Sequence, residues 1–288
     1  MPAVDKIIAE HIDLNAEEIA EALLHLSGTH GKLPTRFIEV TNYLGLTLQM
    51  FSMVNEMDFL PKIIDKTDIR ALLSYNQSLI ATNSGLSENQ KVFSVFHEVG
   101  HYILPEHIDR LYLCNSEDLN FSAKSRLEAE ANKFAAEMIF QGDLFTQELQ
   151  SYPLACKSIV ALAGKYGSSI EAAARRYAEK HLRACALIVY NKAPGDLEDL
   201  EADSFPGFRV QYTITSEAFK ERYFTRVISD EILPVESDVY QAYRLLSPHQ
   251  TLRTRTRINI IGIGEILFDS ELFTNGYKVF RLLGMNLT

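Results

Sequence analysis

The residues best suited to do chemistry are His97, Glu98 and His101, which form the pattern His-Glu-Val-Gly-His. On a helix, residues four apart point in nearly the same direction, so the two imidazoles share one face. Two neutral imidazoles on one face provide two of the four ligands of a zinc ion. Glu98 lies about 100° around the helix from His97, near such a metal without binding it. The pattern therefore predicts a metal site with Glu98 as the catalytic base.

The five-residue pattern alone is weak evidence, because short patterns of common residues arise by chance. The helix that carries the pattern strengthens the evidence for a metal site. Ser87 and Gln90 form a capping-box pattern at the start of a helix predicted over 87–104, and Pro105 stops that helix. The apolar residues of the helix gather on the side away from the histidines. The sequence therefore predicts an amphipathic helix that presents its histidines to a cleft.

A catalytic zinc site commonly has three protein ligands, and Glu128 is the best candidate for the third. It lies on a helix predicted over 122–140, on a small and largely apolar face where a carboxylate needs a cation or hydrogen-bond donors. Glu130 lies among polar residues of the same helix and is the less favoured choice. In the alternative interpretation, Glu128 only closes a capping box with Ser125. Asn132, one turn after Glu128, is predicted to support a metal ligand.

The elements around these motifs predict an α+β domain. Apolar periodicity predicts helices over 4–26 and 35–44, and alternation predicts strands over 46–53 and 69–81. Residues 75–78 are predicted to form a hairpin turn within the second of these stretches. The metal helix and the Glu128 helix would then follow a small sheet.

Charge and composition predict three domains. Residues 1–145 carry a net charge of −10, residues 146–185 carry +3 and residues 186–288 carry −3. The middle segment is rich in alanine, whereas the last block is rich in β-branched and aromatic residues. These shifts predict domains over 1–145, 146–185 and 186–288, with an acidic linker at 192–207.

Four motifs in the first 141 residues resemble the ImmA/IrrE family of metallopeptidases. They are Lys32-Leu33-Pro34 with Tyr43-Leu44-Gly45-Leu46, Ile80-Ala81-Thr82-Asn83 with Gln90-Lys91-Val92-Phe93, the string from Phe96 to Leu104, and the string from Glu128 to Ala136. The resemblance implies a zincin-like fold. It also implies that His97, His101 and Glu128 are the metal ligands and that Glu98 is the base. Zinc is the expected metal, and the same donor atoms accept manganese.

The resemblance also implies a function in gene regulation. Members of the family typically cleave a helix-turn-helix repressor, which releases stress-response or mobile-element genes. One departure is visible, because Met138-Ile139-Phe140-Gln141 stands where the family often has Leu-Met-Pro. This difference predicts another end to the second helix. No residue is assigned to oxyanion stabilisation, since Tyr102 points at the wrong angle and His107 follows Pro105.

Residues 159–181 have the pattern of a helix, a turn and a helix. Ser168 to Glu171 form a capping-box pattern that opens the second helix, which carries Arg175 and Arg176. IrrE-like relatives carry such a segment after the peptidase domain. A net charge of +3 is thin evidence for DNA binding, so a spacer or substrate-docking platform is favoured. Arg175 and Arg176 are the candidate contacts to nucleic acid or to a partner.

Residues 186–288 are predicted to form a β-rich domain. Strands are predicted at 187–190 and 208–214 and from residue 251 to residue 268, where Arg253, Arg255 and Arg257 alternate with threonine and isoleucine. We favour the interpretation that these arginines lie on a solvated face of the strand. The alternative is that they form a binding site for an anion or a partner. Because IrrE-like proteins end in a GAF-like domain, the resemblance implies a possible sensor here.

Composition excludes several classes of protein. With 47% hydrophobic and 23% charged residues, the chain is neither disordered nor collagen-like. It has no apolar run of about 18 residues and no visible secretory signal. Three widely spaced cysteines, at 114, 156 and 185, are typical of reduced thiols. We therefore expect a cytoplasmic protein without a membrane segment.

Three functional hypotheses follow. The favoured one is a zinc endopeptidase that cleaves a regulatory protein. The second is a DNA-binding or partner-binding regulator whose metal site is structural or vestigial, although a net charge of −10 argues against broad binding of nucleic acid. The third is an inhibitor-like module that binds a partner through the cleft, and the intact Glu98 argues against it.

Overall fold

The computed structural model describes residues 14–52, 69–104, 107, 112–114, 126–192, 207–223, 232–233, 237–247, 250–260, 263–285 and 287. The chain forms two compact units, one of residues 1–145 with 165–169 and one of residues 146–164 with 170–288. The described residues do not include the start of the first predicted helix, Pro105, the start of the helix predicted over 122–140 with its Ser125 cap, or the core of the acidic linker.

The first half of the chain alternates helices with a small sheet. From residue 16 to residue 149 the elements are α1 (Ala16–Leu26), α2 (Phe37–Leu44), β1 (Thr47–Phe51), β2 (Ala71–Ser74), β3 (Leu79–Asn83), α3 (Glu88–Ile103), β4 (Tyr112–Cys114), α4 (Arg126–Phe140) and α5 (Asp143–Leu149). The sheet has the order β1-β3-β2-β4. β1 runs parallel to β3, and the other pairs are antiparallel. The predicted hairpin turn at 75–78 is confirmed between β2 and β3.

The prediction of one continuous helix over 4–26 is wrong, because a helix begins at Ala16 behind an N-cap at Asn15. Asn15 has an extended backbone, and its side chain accepts hydrogen bonds from the amides of Glu17 and Glu18. The Glu18 carboxylate accepts one in return from the Asn15 amide, at 2.9 Å. This reciprocal capping starts α1 at Ala16. Apolar periodicity continues through the cap and hides it in the sequence.

The two helices that carry the candidate site begin and end at identifiable residues. The predicted capping box of Ser87 and Gln90 opens α3, and α3 ends where Leu104 turns extended. α4 ends at Phe140, and Gln141 has a left-handed backbone with a φ of 50°. The Gln141 side chain donates to Thr29 O, Lys32 O and Thr35 Oγ1. Gln141, where the chain departs from the family pattern, therefore connects the end of α4 to the loop after α1 through these hydrogen bonds.

The second half of the chain contains a six-stranded antiparallel sheet. Its elements are α6 (Cys156–Tyr166), α7 (Ile170–Lys180), β5 (Cys185–Lys192), β6 (Phe208–Thr215), α8 (Glu217–Tyr223), β7 (Ile232–Leu233), α9 (Asp238–Leu245), β8 (Thr251–Ile260), β9 (Gly264–Thr274) and β10 (Val279–Gly284). The strand order is β7-β6-β5-β10-β9-β8. Apolar side chains of α8 and α9 join those of β5, β9 and β10 in one core. The β-rich character predicted for this part of the chain is confirmed.

The stretch predicted as a strand from residue 251 to residue 268 is instead a hairpin. β8 ends at Ile260, and the pairing resumes with Gly264 opposite Ile260. Gly264 has a backbone φ of 101°, which residues other than glycine rarely adopt. The apolar alternation continues through Ile258 and Ile266, so it hides the reversal of the chain. The two glycines at 262 and 264 are the feature of the sequence that indicates a turn.

Candidate metal centre

Helix α3 places His97 and His101 together, as their four-residue spacing requires. Both residues are 1% exposed. Their Nε2 atoms lie 3.1 Å apart, and the two rings meet edge to face with an interplanar angle of 79°. The two nitrogens therefore converge on a common point.

Helix α4 brings Glu128 to the same point. Glu128 Oε2 lies 3.2 Å from His97 Nε2 and 3.4 Å from His101 Nε2. Its side chain is 21% exposed, so the cluster reaches solvent at the carboxylate. Among the described residues, these three form a group of donor atoms that could hold a metal ion.

The spacing of the three donor atoms fits a small divalent cation. Ligand atoms about 2.0–2.1 Å from a tetrahedral metal are about 3.3 Å from one another. The three separations here, 3.1, 3.2 and 3.4 Å, match one face of such a tetrahedron. Two imidazole nitrogens and one carboxylate oxygen suit zinc and accept other first-row metals. The residues therefore fit the metal that the sequence predicts, and its identity is not defined by the donors.

The electrostatics of the cluster favour the ligand forms of these side chains. Burial lowers the pKa of His101 to about 4, against the opposing effect of its hydrogen bond with Glu128. Burial alone would raise the pKa of Glu128, but hydrogen bonds and charges from His101 and His97 outweigh it and hold that pKa below its usual range. At neutral pH the cluster thus holds a neutral His101 imidazole and an ionised Glu128 carboxylate, which is the state that binds metal.

The outer nitrogens of both histidines also have partners. His97 Nδ1 lies 3.0 Å from the Oδ1 atom of Asn132, which follows Glu128 by one turn of α4. His101 Nδ1 lies 2.9 Å from Nδ1 of His107, which is completely buried. Burial lowers the pKa of His107 although Glu130 opposes this effect. Such partners hold an imidazole in one orientation.

The sequence interpretation missed this position of His107, although the sequence carried a signal. His97, His101 and His107 have the spacing of the metzincin pattern H-E-x-x-H-x-x-G-x-x-H, with Leu104 in the place of its glycine. In that pattern the third histidine binds the metal. Here Glu128 takes the third position, and His107 contacts the far side of the His101 ring.

Glu98 is fully buried on α3, directly after His97. Its exposure of 0% places the carboxylate among packed side chains rather than on the solvated face of the helix. Its role as the base is a prediction from the sequence pattern.

A glycine allows the two helices to approach. A Cβ atom on Gly100 would lie 3.1 Å from Phe134 Cδ1 and 3.3 Å from Ala131 Cα, which is tighter than ordinary contact. The small residues at positions 100 and 131 thus let α4 lie against α3. This close packing is what brings Glu128 within reach of the two histidines.

Tyr102 and the candidate arginines have other neighbours. The Tyr102 carbonyl accepts a hydrogen bond from the Tyr75 hydroxyl, and its own hydroxyl lies 3.1 Å from Ser78 Oγ. In the second unit, the Arg175 guanidinium lies over the Tyr212 ring, 4.5 Å from its centroid. Arg176 is half-buried on the same helix.

The strand arginines of the second unit form cross-strand ion pairs. Arg253 lies 3.4 Å from Glu271, and Arg255 lies 3.4 Å from Asp269. Both arginines are more than half exposed, which agrees with the solvated face that the alternation predicted.

These observations define a mixed α+β protein with a helix-borne His-Glu-x-x-His cluster in its first unit. Residues 53–177 match the family model Peptidase_M78, the IrrE N-terminal-like domain. This match confirms the resemblance seen in the motifs of the first half of the chain. No curated protein sequence matches the chain.

One solved structure that resembles the chain is a Mycobacterium tuberculosis transcriptional regulator. The likeness covers 99% of this chain and 81% of that one, with a TM-score of 0.54 and 14% identity. At this identity the match concerns the fold alone. Among the described residues, no helix combines the length and the apolar character that crossing a membrane requires.

Proposed function

We propose that the chain is a metal-dependent endopeptidase that cleaves a regulatory protein. The observation that carries this proposal is the triangle of donor atoms from His97, His101 and Glu128. Its sides are those of a tetrahedral metal site, and Glu98 occupies the position that the pattern assigns to the base. The Peptidase_M78 match supports the same reaction class.

A divalent metal at this site would supply Lewis acidity, which polarises a scissile carbonyl and makes water more acidic. The side chains would hold the metal, transfer the proton and orient the ligands. His97, His101 and Glu128 would hold the metal, since their donor atoms meet at one point. Glu98 accepts a proton on its carboxylate from the attacking water and delivers it to the nitrogen of the leaving amine. Asn132 Oδ1 accepts the Nδ1 proton of His97 and orients that ring.

The substrate class follows from the family resemblance and is a helix-turn-helix transcriptional repressor. Its cleavage would derepress stress-response or mobile-element genes. The solved structure with a similar fold is itself named a transcriptional regulator. Residues 186–288 would act as a GAF-like sensor that controls this cleavage. The protein would act in the cytoplasm.

Binding of DNA through the helix-turn-helix-like segment receives less support. Arg175, one of its two candidate contacts, already stacks on Tyr212 of the C-terminal sheet. A cation over an aromatic ring gains about 0.5–2 kcal/mol, which binding to phosphate would have to replace.

Two variants test the proposed function. In Glu98→Gln we expect metal content to equal that of wild type and cleavage to fall by at least about 100-fold, because only the proton acceptor is lost. In Glu128→Ala we expect the metal itself to be lost or much reduced, since one of three ligands is missing.

The measurements are plasma mass spectrometry of the purified chains and a survey of new N-termini in a cell lysate. The lysate is incubated with each chain and with added Zn²⁺ or Mn²⁺. Glu88→Ala, on the exposed first turn of α3, is the control for both readouts. New N-termini produced equally by wild type and Glu98→Gln would overturn the mechanism. A wild-type chain that takes up no metal would overturn the metal centre.

A further inference from the structure

A buried histidine connects the metal centre to a second carboxylate of α4. His107 Nδ1 lies 2.9 Å from His101 Nδ1, and His107 Nε2 lies 3.3 Å from Glu130 Oε2. The His107 side chain is 0% exposed, whereas that of Glu130 is 33% exposed. His107 therefore joins a metal-ligand candidate at one end to a partly solvated carboxylate at the other.

The short distance between the two Nδ1 atoms restricts where protons can lie. Two ring nitrogens 2.9 Å apart form a hydrogen bond only if one of them carries the proton and the other accepts it. When His101 binds a metal through Nε2, its proton must be on Nδ1. His107 Nδ1 is then the acceptor, and the His107 proton lies on Nε2.

The carboxylate of Glu130 favours this direction. An ionised carboxylate only accepts hydrogen bonds, so it stabilises His107 with the proton on Nε2. The reverse arrangement would direct the Nε2 lone pair of His107 at a negative oxygen. Glu128, on the other side of His101, attracts the proton to Nε2 of that ring when no metal is bound. The two carboxylates therefore compete for the position of one proton.

Arg126 determines which atoms of residue 130 face His107. Its Nη1 atom donates to Glu130 Oε1 at 3.0 Å, which leaves Oε2 as the oxygen on the side of His107. An exposed ion pair of this kind adds little to stability, but it sets the orientation of the carboxylate.

We propose that Glu130 and His107 are positioning residues that hold the proton of His101 on Nδ1 and direct its Nε2 lone pair at the metal. This inference rests on the proposed function, because it takes His101 as a metal ligand. It assigns Glu130 a role different from that of Glu128, although both lie at the start of the same helix. Partners of metal-bound histidines typically change metal affinity by about 10–100-fold.

The variant Glu130→Gln tests the proposal without large structural change. Arg126 requires an oxygen from residue 130, so the amide NH₂ of the glutamine faces His107 Nε2. That donor moves the His107 proton to Nδ1, where it opposes the Nδ1 proton of a metal-binding His101. We expect the affinity for Co²⁺, and for Zn²⁺ in competition with a chromophoric chelator, to fall by about 10–100-fold.

The double variant Arg126→Ala with Glu130→Gln separates positioning from simple structural support. Without Arg126, the amide can rotate and offer its oxygen to His107, so most of the lost affinity should return. Arg126→Ala alone should lower metal affinity much less than Glu130→Gln does, because a carboxylate offers an oxygen to His107 in either orientation. A structural defect would instead make the double variant as weak as Glu130→Gln or weaker. Thermal unfolding of the four metal-free chains in chelator is the control for folding.

The outcomes distinguish this inference from the proposed function. Equal metal affinities for wild type and Glu130→Gln would overturn the positioning role of Glu130 and His107. They would leave the metal centre and the peptidase proposal intact. A loss in Glu130→Gln that Arg126→Ala does not reverse would also overturn it. A wild-type chain that binds neither Co²⁺ nor Zn²⁺ would overturn both.

Discussion

The candidate site combines a His101 imidazole, whose pKa burial lowers, with a Glu128 carboxylate, whose pKa is held below its usual range. His97 and His101 each have a polar partner at Nδ1, and their Nε2 atoms lie on the side of the cluster. The ionised Glu128 supplies the negative charge that a divalent cation requires. The same features predict a dependence of stability on pH when no metal is bound.

The metal-free protein should lose stability on acidification below about pH 6.5. The pKa of His101 in the folded chain is about 4, against 6.5 for an unperturbed histidine. Between these values the unfolded chain binds a proton at His101 that the folded chain does not, so the free energy of unfolding falls as pH falls. His181, whose pKa burial also lowers to about 4, acts in the same direction. Below pH 4.5, protonation of Glu128 removes further stability, because its pKa is held low in the folded chain.

Urea unfolding in the presence of chelator, at pH 7 and at pH 5, measures this effect. We expect His101 to account for about 2 kcal/mol of the difference. The variant His101→Gln should show a correspondingly smaller difference between the two pH values. If the variant and wild type lose the same free energy, His101 is not held neutral by burial.

At the scale of elements, the close approach of α3 and α4 creates the site. The histidines come from one helix and the carboxylate from the other, so the distance between the helices decides whether the donors meet. Gly100 faces Ala131 and Phe134 at this contact. A side chain at position 100 should therefore act on metal binding through the helix spacing.

Gly100→Ala should weaken metal binding and lower stability. The added Cβ would lie within 3.1–3.3 Å of α4 atoms, and such overpacking costs about 1–3 kcal/mol, which exceeds the gain in helix propensity of about 1 kcal/mol. Gly164→Ala, inside α6, is the matched control because a Cβ there meets nothing within 4 Å. We expect that control to be neutral or slightly stabilising.

Metal titration and thermal unfolding of both glycine variants provide the measurement. Equal affinities for metal in Gly100→Ala and Gly164→Ala would show that the helix contact at position 100 does not hold the ligands in place.

At the scale of the whole molecule, the second unit contains helices as well as its sheet. α7 contacts β5 and β6, and the Tyr212 hydroxyl donates to Glu171 of α7 at 2.6 Å. Lys278, just before β10, lies 2.8 Å from the same carboxylate. The helix-turn-helix segment and the C-terminal block predicted as separate domains therefore share contacts in one unit, and the three-domain division stays a prediction.

A fragment of residues 1–185 tests that division. Without the sheet, α7 would lose its contacts with β5 and β6, and the Glu171 carboxylate would lose Tyr212 and Lys278. We expect the fragment to bind the dye ANS and to associate more strongly than the full chain does under the same conditions. A monomeric fragment with no dye binding, observed by sedimentation and fluorescence, would instead support an independent helical segment over 146–185.

The sequence by itself determined the features that depend on neighbours along the chain. His97 and His101 share a face because helix periodicity requires it, and Ser87, Gln90 and the turn at 75–78 act within four residues. It also indicated Glu128, because a carboxylate on a small apolar face needs a partner. It missed the cap at Asn15 and the reversal before Gly264, because apolar residues continue the periodic pattern across both.

Only the tertiary structure decided how residues distant along the chain meet. His107 could have been a third ligand by spacing, and Glu130 could have been a solvated charge by pattern. The structure instead places His107 between His101 and Glu130, with Arg126 on the other oxygen. These contacts depend on where α3 ends and how closely α4 approaches it. Such distances follow from side-chain packing between helices, which no periodicity within one helix can specify.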